Sequence, residues 1–452
     1  MNRYLLLNVV GLTESLMQSG AMPQLQAFAE KRAVRRLQPD LPAVTLTSQA
    51  SMLTGKAPSD HGIVGNGWYF RNLAEVWLWR QSCHLLQAST ILERWRQERP
   101  DDASANLFWW FNLPSQADLS LTPRPTYWAD GRKGPDVHSG PPALGRELQA
   151  KLGDFPLFQF WGPGAAIASS RWIADAAVEV LQSRQPGLCL VYLPHLDYDL
   201  QRFGPSGPEA ARAAAELDVE LAKLLQQGLS QGFEILVVSE YGITPVKAAV
   251  YPNQALRRGG WLQVHPARNG ALLDPGHSRA FAVCDHQCAH VYVADPHDLE
   301  PVRKCLQELP GVAEIYGSAE LEKLGLNHVR TGELFLVADR DHWFAYPYWS
   351  EQDQEPDFAR TVDIHRKPGY DPCELFLDPS QPGLKLKLGL KLLGKKLGFR
   401  TLFNPVPLDT SLVRGSHGRL PEQPEHGPIW IGPEALAPID RASLREAFRF
   451  LL

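Results

Sequence analysis

Three short and almost purely apolar runs constrain the fold of this chain more than any other feature. They lie at residues 5–10, 188–193 and 233–239. Runs of this kind are typical of strands that are buried on both faces of a parallel sheet, because a half-exposed strand would alternate with polar residues. Helical patterns separate the runs, at residues 22–32, 91–99, 170–184 and 208–231. This alternation predicts an α/β protein with a mostly parallel sheet sandwiched by helices.

The pattern changes at about residue 277. Strand-like runs follow at 280–294, 312–316 and 334–338, with a helical pattern at 299–309. Strands and helices in this order are typical of a small α+β unit. The sequence therefore predicts three segments, which are the first part of the core (1–276), a small α+β insert (277–345) and a return to the core (346–452).

Composition narrows the class of protein. The chain has 452 residues and a formal net charge of -5, so we expect no nucleic acid polymer as a partner. Its six cysteines are scattered, which does not indicate a disulfide framework. The apolar N-terminus reads as a buried strand and not as a signal peptide, and no run approaches the length of a membrane span. The expected location is cytoplasmic.

Polar residues follow these runs where parallel strands would end. Asp197 comes after the second run and Glu240 after the third, and ligands bind at the carboxyl ends of parallel strands. Thr45 stands at or just before a short predicted helix at 47–53, which also carries Ser48. A helix N-terminus favours an anion, so Thr45 is either a nucleophile for a phosphorus centre or only a helix cap.

The segment around Thr45 resembles that of a known family. It reads P-x-x-T and then T-G-x-x-P-x-x-H-G-I, formed by Pro42, Thr45, Thr54, Gly55, Pro58, His61, Gly62 and Ile63. This pattern is similar to the nucleophile segment of the nucleotide pyrophosphatase/phosphodiesterase and phosphonoacetate hydrolase branch of the alkaline phosphatase superfamily. The resemblance implies an alkaline phosphatase-like core, and a Thr45 that attacks phosphorus and bridges to a metal ion.

The resemblance also implies a ligand set for two metal ions, usually zinc. Asp197, Glu240 and His417 stand at family ligand positions and keep a side chain that binds metal. Val10, Gln201 and Tyr241 stand where the family has an aspartate and two histidines. An amide ligand suits manganese or magnesium better than zinc. The expected cofactor is therefore one or two divalent ions, with Gln201 and Tyr241 near them.

Three interpretations follow for this altered site. In the first, replacement ligands or a general base come from His195, Asp199, Asp363, His365 and Asp371. His195 lies two residues before Asp197, and on an extended segment both would face one side. In the second, one ion or none is bound and His417 or His365 acts as the base for Thr45. In the third, catalysis is lost and the protein binds a phosphorylated ligand. We favour a hydrolase of a small phosphorus ester, of the phosphodiesterase or nucleotide pyrophosphatase kind.

Cys284, His286, Cys288 and His290 have the same parity within one strand-like run. They would share a face of a single strand. Their spacing is not that of a zinc knuckle, so buried thiols and hydrogen-bonded imidazoles are the favoured interpretation.

Residues 384–400 alternate leucine with lysine and contain no acidic residue. The segment predicts a basic amphipathic helix. Such a helix either contacts an anionic membrane surface or packs its leucines on the core.

Overall fold

The computed structural model describes residues 2–129, 132–399 and 401–452. Its strands are, in chain order, β1 (Arg3–Val9), β2 (Ala33–Gln38), β3 (Gly67–Phe70), β4 (Glu75–Leu78), β5 (Ser104–Leu107), β6 (Leu119–Pro123), β7 (Thr126–Tyr127), β8 (Lys133–Gly134), β9 (Val137–Gly140), β10 (Leu188–Leu193), β11 (Phe233–Val238), β12 (Thr244–Pro245), β13 (Ala248–Val250), β14 (Val264–Ala267), β15 (Gly270–Leu273), β16 (Ala280–Asp285), β17 (Cys288–Val293), β18 (Val312–Tyr316), β19 (Leu334–Ala338), β20 (His342–Phe344), β21 (Gly415–Ser416), β22 (Ile429–Gly432) and β23 (Ala442–Ser443).

The α-helices are α1 (Glu14–Met17), α2 (Pro23–Ala29), α3 (Thr45–Thr54), α4 (Pro58–His61), α5 (Ile91–Glu98), α6 (Pro142–Leu152), α7 (Ile167–Ser183), α8 (His195–Phe203), α9 (Pro208–Ser230), α10 (Pro252–Arg258), α11 (Leu299–Gln307), α12 (Ser318–Lys323) and α13 (Leu384–Lys396). Within the described ranges, no helix is both long enough and apolar enough to span a bilayer.

The central sheet is mostly parallel, as predicted. Among the described residues it has nine strands in the order β23-β2-β22-β11-β1-β10-β5-β6-β9. β1 lies in the middle and pairs in parallel with β10 and β11, and β10, β5 and β6 extend the parallel part. β22 is antiparallel to both β11 and β2, and β9 is antiparallel to β6. Helices α7 and α9 pack against β10 and β11.

The first apolar run is continuous because both faces of β1 are covered. Leu5, Leu6 and Leu7 are all fully buried, and so is the polar residue Asn8. Each fully buried leucine stabilises the fold by about 1.5–3 kcal/mol relative to an exposed one. Gly11 ends the run with φ of 78°, a left-handed conformation that an L side chain rarely adopts.

The predicted insert contains its own antiparallel sheet, in the order β16-β17-β19-β18. The expectation of one strand over 280–294 is wrong, since β16 and β17 are the two arms of a hairpin. His286 stands in the turn with φ of 60°. Both arms are buried and apolar, so no change of hydrophobic pattern marks the turn; the polar triplet Asp285-His286-Gln287 was its only signal. The division into 1–276, 277–345 and 346–452 stays a prediction.

Candidate active site

Thr45 is the first residue of α3, as its position in the sequence predicted. Val44 precedes it in an extended conformation, and all ten side chains of α3 are buried. The helix ends at Gly55, whose φ of 66° and N–H bond to the Ser51 carbonyl form a left-handed cap. Thr45 therefore lies where the helix dipole favours negative charge.

A hydrogen-bond chain leads from Thr45 to a buried carboxylate. Thr45 Oγ1 lies 3.1 Å from the hydroxyl of Tyr241, and that hydroxyl donates to Asp197 Oδ1 at 3.3 Å. The Tyr241 hydroxyl has a single proton, so when it donates that proton to Asp197 its oxygen can accept the proton of Thr45. Three of the predicted site residues are thus connected in one line.

Helix α8 positions the carboxylate of Asp197. It follows β10 directly, and residues four apart lie on one helical face, which places Gln201 beside Asp197. Gln201 Nε2 donates to Asp197 Oδ2 at 2.7 Å, while its Oε1 accepts from the Tyr370 hydroxyl at 2.8 Å. Gln201 therefore orients Asp197 and has both amide groups engaged.

The expectation that His195 and Asp197 face one side is wrong. It assumed an extended segment, but α8 begins at His195, and residues two apart on a helix point about 200° away from each other. His195 Nε2 instead lies 3.1 Å from Glu216 of α9.

Glu240 lies at the end of β11 and is fully buried. Its Oε1 accepts from Asn8 Nδ2 and from Gln49 Nε2, both at 2.6 Å. Its Oε2 has no hydrogen-bond partner among the described residues. Ser48 reaches the same residue through a hydrogen bond from its hydroxyl to the Glu240 carbonyl at 3.2 Å. Helix α3 thus holds Glu240 with two side chains.

Four aromatic rings form a continuous stack in the site. Tyr241 lies on His417 with ring centroids 3.6 Å apart, His417 on His286 at 3.7 Å, and His286 on Tyr370 at 3.6 Å. His417 is held from its edge, because its Nδ1 donates to the Ala43 carbonyl at 2.8 Å. The stack brings the hairpin turn of the predicted insert into the site.

Burial controls the charges of the acids and imidazoles. It raises the pKa of Asp197 to about 7, against hydrogen bonds from Gln201 and Tyr241 that lower it. It raises the pKa of Glu240 to about 8 in the same way. Burial lowers the pKa of His417 and of His286 well below the usual range, so both rings are neutral at pH 7.

The donor set does not fit a pair of divalent ions. Val10 offers no donor, and the amide of Gln201 is engaged on both sides. Among the described residues His417 Nε2 has no hydrogen-bond partner and lies 3.8 Å from Asp197 Oδ1, which leaves two donors in that half of the site. The other half keeps only Glu240 Oε2 and the Thr45 hydroxyl, whereas protein-bound zinc takes three or four protein ligands. In the described part of the chain, no three His, Cys, Asp or Glu side chains converge on one point.

The sequence analysis offered Asp363, His365 and Asp371 of the loop at 363–371 as replacement ligands or a base, but in the structure the two aspartates pair with basic residues of the same loop. Asp363 accepts from Arg366 at 2.8 Å, and Asp371 accepts from the buried Lys367 at 2.7 Å. His365 is exposed. The residue of this loop that enters the site is Tyr370, through Gln201 and the ring stack.

Sequence reasoning missed Asn8, Gln49, His286 and Tyr370 as members of the site. Asn8 had a signal, since it is a polar residue inside the apolar run of β1. His286 had one in its polar turn. Gln49 and Tyr370 had none, because nothing local predicts their contacts with residues 191 and 169 positions away.

A cleft of about 490 Å³ opens near these strand ends. Its described lining includes Gly11, Thr13, Arg340 and Arg419, but not Thr45, which is 4% exposed. Glu422 lies 3.2 Å from Arg419. The cleft and the buried Thr45 are therefore separate features of this structure.

The fold and the sequence pattern around Thr45 define a class, that of alkaline phosphatase-like α/β proteins. Residues 4–371 match the family model of the type I phosphodiesterases and nucleotide pyrophosphatases. The chain belongs to this family. A fission yeast (Schizosaccharomyces pombe) protein described as an uncharacterized pyrophosphatase/phosphodiesterase is 22% identical over 255 residues. That match covers 53% of this chain and 44% of the yeast protein, so the chain spans less than half of that relative.

Solved structures share the fold. Phosphonoacetate hydrolase from Sinorhizobium meliloti, in complex with phosphonoacetate, has a TM-score of 0.62 at 18% identity, covering 100% of this chain and 95% of the other. The murine ectonucleotide pyrophosphatase/phosphodiesterase 5, as an inactive threonine-to-alanine variant with AMP, has a TM-score of 0.60 at 12% identity, with 100% and 94% covered. Membership of this family supports the prediction of an enzyme that hydrolyses phosphoesters.

Proposed function

We propose that this protein hydrolyses a small phosphodiester or pyrophosphate with Thr45 as the nucleophile. The observation that carries the proposal is the hydrogen-bond chain from Thr45 through Tyr241 to Asp197. A threonine hydroxyl attacks only if a base takes its proton, and this chain leads the proton to a carboxylate. The position of Thr45 at the start of α3 adds a favourable dipole for the phosphate.

The proposed reaction has two steps. Thr45 Oγ1 forms a bond to phosphorus, the bond from phosphorus to the leaving oxygen breaks, and the Thr45 proton is relayed by Tyr241 to Asp197. Water then attacks the phosphothreonine, and Thr45 leaves and regains its proton along the same path. One proton of the water stays on the phosphate product, and the other protonates the oxygen of the group that left in the first step. For a phosphodiester the sum is one ester and one water converted to a phosphate monoester and an alcohol, and for a pyrophosphate it is one anhydride and one water converted to two phosphate groups.

The reaction as written takes no step through a metal ion, because the donor set does not fit a pair of ions. A metal-assisted form, with zinc, manganese or magnesium near Asp197, Glu240 and His417, is distinguished in the same assay by adding each ion or a chelator. Without a metal dependence, turnover with chelator equals turnover with added ions.

A non-catalytic phospho-ligand-binding protein is the second candidate. The observation that favours it is the burial of Thr45. This residue is 4% exposed, and the stack of aromatic rings lies against its neighbour Tyr241. A substrate needs a local opening to reach Thr45, whereas a ligand that binds in the outer cleft does not.

The test is turnover of bis-p-nitrophenyl phosphate and of a nucleoside 5′-p-nitrophenyl phosphate by the parent chain and three variants. We expect Thr45→Ala to lose at least about 10³-fold in kcat, and Thr45→Ser to keep measurable turnover. Thr47→Ala is the matched control, since Thr47 is a buried threonine of the same helix whose hydroxyl has no partner among the described residues. Equal background rates in parent and Thr45→Ala, together with AMP binding in calorimetry, would assign the protein to the second candidate.

A further inference from the structure

The outward face of α13 carries a row of exposed leucines. This leucine stripe consists of Leu386, Leu390, Leu393 and Leu397, which are 71%, 62%, 56% and 69% exposed. Their spacing of four, three and four residues places them on one helical face. The last of them follows the helix directly, with its N–H bonded to the Leu393 carbonyl at 3.1 Å. Single exposed leucines are ordinary, but a contiguous row marks an interaction surface.

The opposite face of α13 is attached to the protein. Leu384 is buried, and Lys391 Nζ donates to the Leu402 carbonyl at 2.8 Å and to Asn404 Oδ1 at 2.6 Å. Phe399 and Leu402, beyond the helix, are also exposed, at 67% and 53%. The leucine stripe therefore lies on the side of α13 that points away from the rest of the protein, and no part of the chain that the structure describes covers it.

The charge around the stripe indicates what covers it. The chain as a whole has a formal net charge of -5, yet residues 384–400 contain no acid and six basic residues, which are Lys385, Lys387, Lys391, Lys395, Lys396 and Arg400. A row of leucines with basic neighbours matches an anionic lipid surface, where the apolar face enters the acyl boundary and lysines meet the headgroups. A symmetric dimer through this face is disfavoured, because it would place the basic segments of two copies against each other and they would repel.

We propose that α13 docks this protein on an anionic lipid bilayer, with the leucine stripe in the boundary between headgroups and acyl chains. The helix lies in the plane of the surface and does not cross it. This surface role rests on the exposure and charge of α13 and is independent of the reaction proposed for Thr45.

The test is co-sedimentation of the full chain with vesicles of phosphatidylcholine alone or mixed with phosphatidylglycerol. We expect binding to the mixed vesicles, at least about tenfold weaker binding to phosphatidylcholine alone, and release by salt. Leu390→Glu/Leu393→Glu removes binding, and Lys387→Gln, which removes one positive charge, weakens it about fivefold. Val329→Glu is the control, because Val329 is 74% exposed and lies outside α13. Circular dichroism shows that each variant is folded.

Three results would overturn the proposal. The first is the absence of vesicle binding by the folded parent chain, and the second is equal binding by the parent and the double leucine variant. The third is a dimer in sedimentation velocity that the double variant abolishes while the parent ignores both kinds of vesicle, which would assign the stripe to a second copy of this chain.

Discussion

The imidazole rings of His286 and His417 lie 3.7 Å apart, although 130 residues separate them in the chain. His286 belongs to the β16–β17 hairpin turn, and His417 follows β21. Tyr241 and Tyr370 close the two ends of this stack. Where the family resemblance implied imidazoles around metal ions, this chain packs neutral imidazoles between phenol rings. The hairpin of the predicted insert is therefore part of the candidate site.

Tyr241→Phe separates the hydroxyl relay from the ring stack. The phenylalanine keeps a ring that can stack on His417, but it removes the oxygen between Thr45 and Asp197. We expect kcat to fall by about 10²–10⁴-fold with little change in KM, since the loss is in proton transfer. Steady-state kinetics with the p-nitrophenyl esters measure this. Tyr346→Phe is the control, because it removes a buried hydroxyl without a partner in the described ranges. Equal kcat values for Tyr241→Phe and parent would exclude the relay.

Metal content per chain tests how the altered ligand set behaves. We expect fewer than two divalent ions per chain in protein purified without chelator, because Val10, Gln201 and Tyr241 remove the donors that a second ion requires. Elemental analysis by mass spectrometry measures this, and Asp197→Asn is the matched variant for any ion that is found. Two ions per chain, lost in Asp197→Asn, would contradict this expectation and restore the two-metal mechanism.

His61 makes the stability of the fold depend on pH. Its Nε2 lies 3.1 Å from the Ser51 hydroxyl, and burial lowers its pKa to about 3. In the unfolded chain this imidazole has its ordinary pKa near 6.5. Between about pH 3 and pH 6.5 the unfolded chain therefore binds one more proton at His61 than the folded protein does. Stability is therefore present above about pH 6.5 and is lost as pH falls towards 3, by up to about 1.4 kcal/mol per pH unit.

Urea unfolding between pH 4.5 and 7.5 measures this slope. His61→Gln should unfold with a shallower pH dependence than the parent, whatever its absolute stability. Comparing the slopes cancels the contributions of other buried groups, such as Glu240, which act in the opposite direction. His84→Gln is the control, since His84 is exposed. Parallel slopes for parent and His61→Gln would show that this expectation is wrong.

Lys367 neutralises two buried carboxylates. Its Nζ lies 2.7 Å from Asp371 and 2.8 Å from Glu374, and its side chain is 1% exposed. Lys367→Met leaves both acids buried without a cation, so we expect a loss of about 3–5 kcal/mol in the free energy of unfolding. Arg366→Met is the neighbouring control, because Arg366 is 55% exposed and pairs with Asp363 at the surface, and it should cost about 1 kcal/mol or less. Similar losses in the two variants would refute the buried-pair account.

The sequence alone predicted the sheet, the family resemblance and the position of Thr45. Each depends on a local pattern: the continuous apolar runs of β1, β10 and β11, and the spacing of proline, threonine and glycine around α3. A doubly buried strand must be apolar throughout, and a helix N-terminus must start at a break in the pattern. Features that depend on interactions within a few residues can be predicted from the sequence before the fold is known.

Only the tertiary structure decided how the site is assembled. Asn8 and Gln49 both bind Glu240, and His286 meets His417, across separations of 130 residues or more. No local pattern encodes such contacts, because they depend on which strand ends the sheet brings together and on a hairpin turn hidden in an apolar run. The sequence therefore determined which residues could act, and packing decided which of them touch.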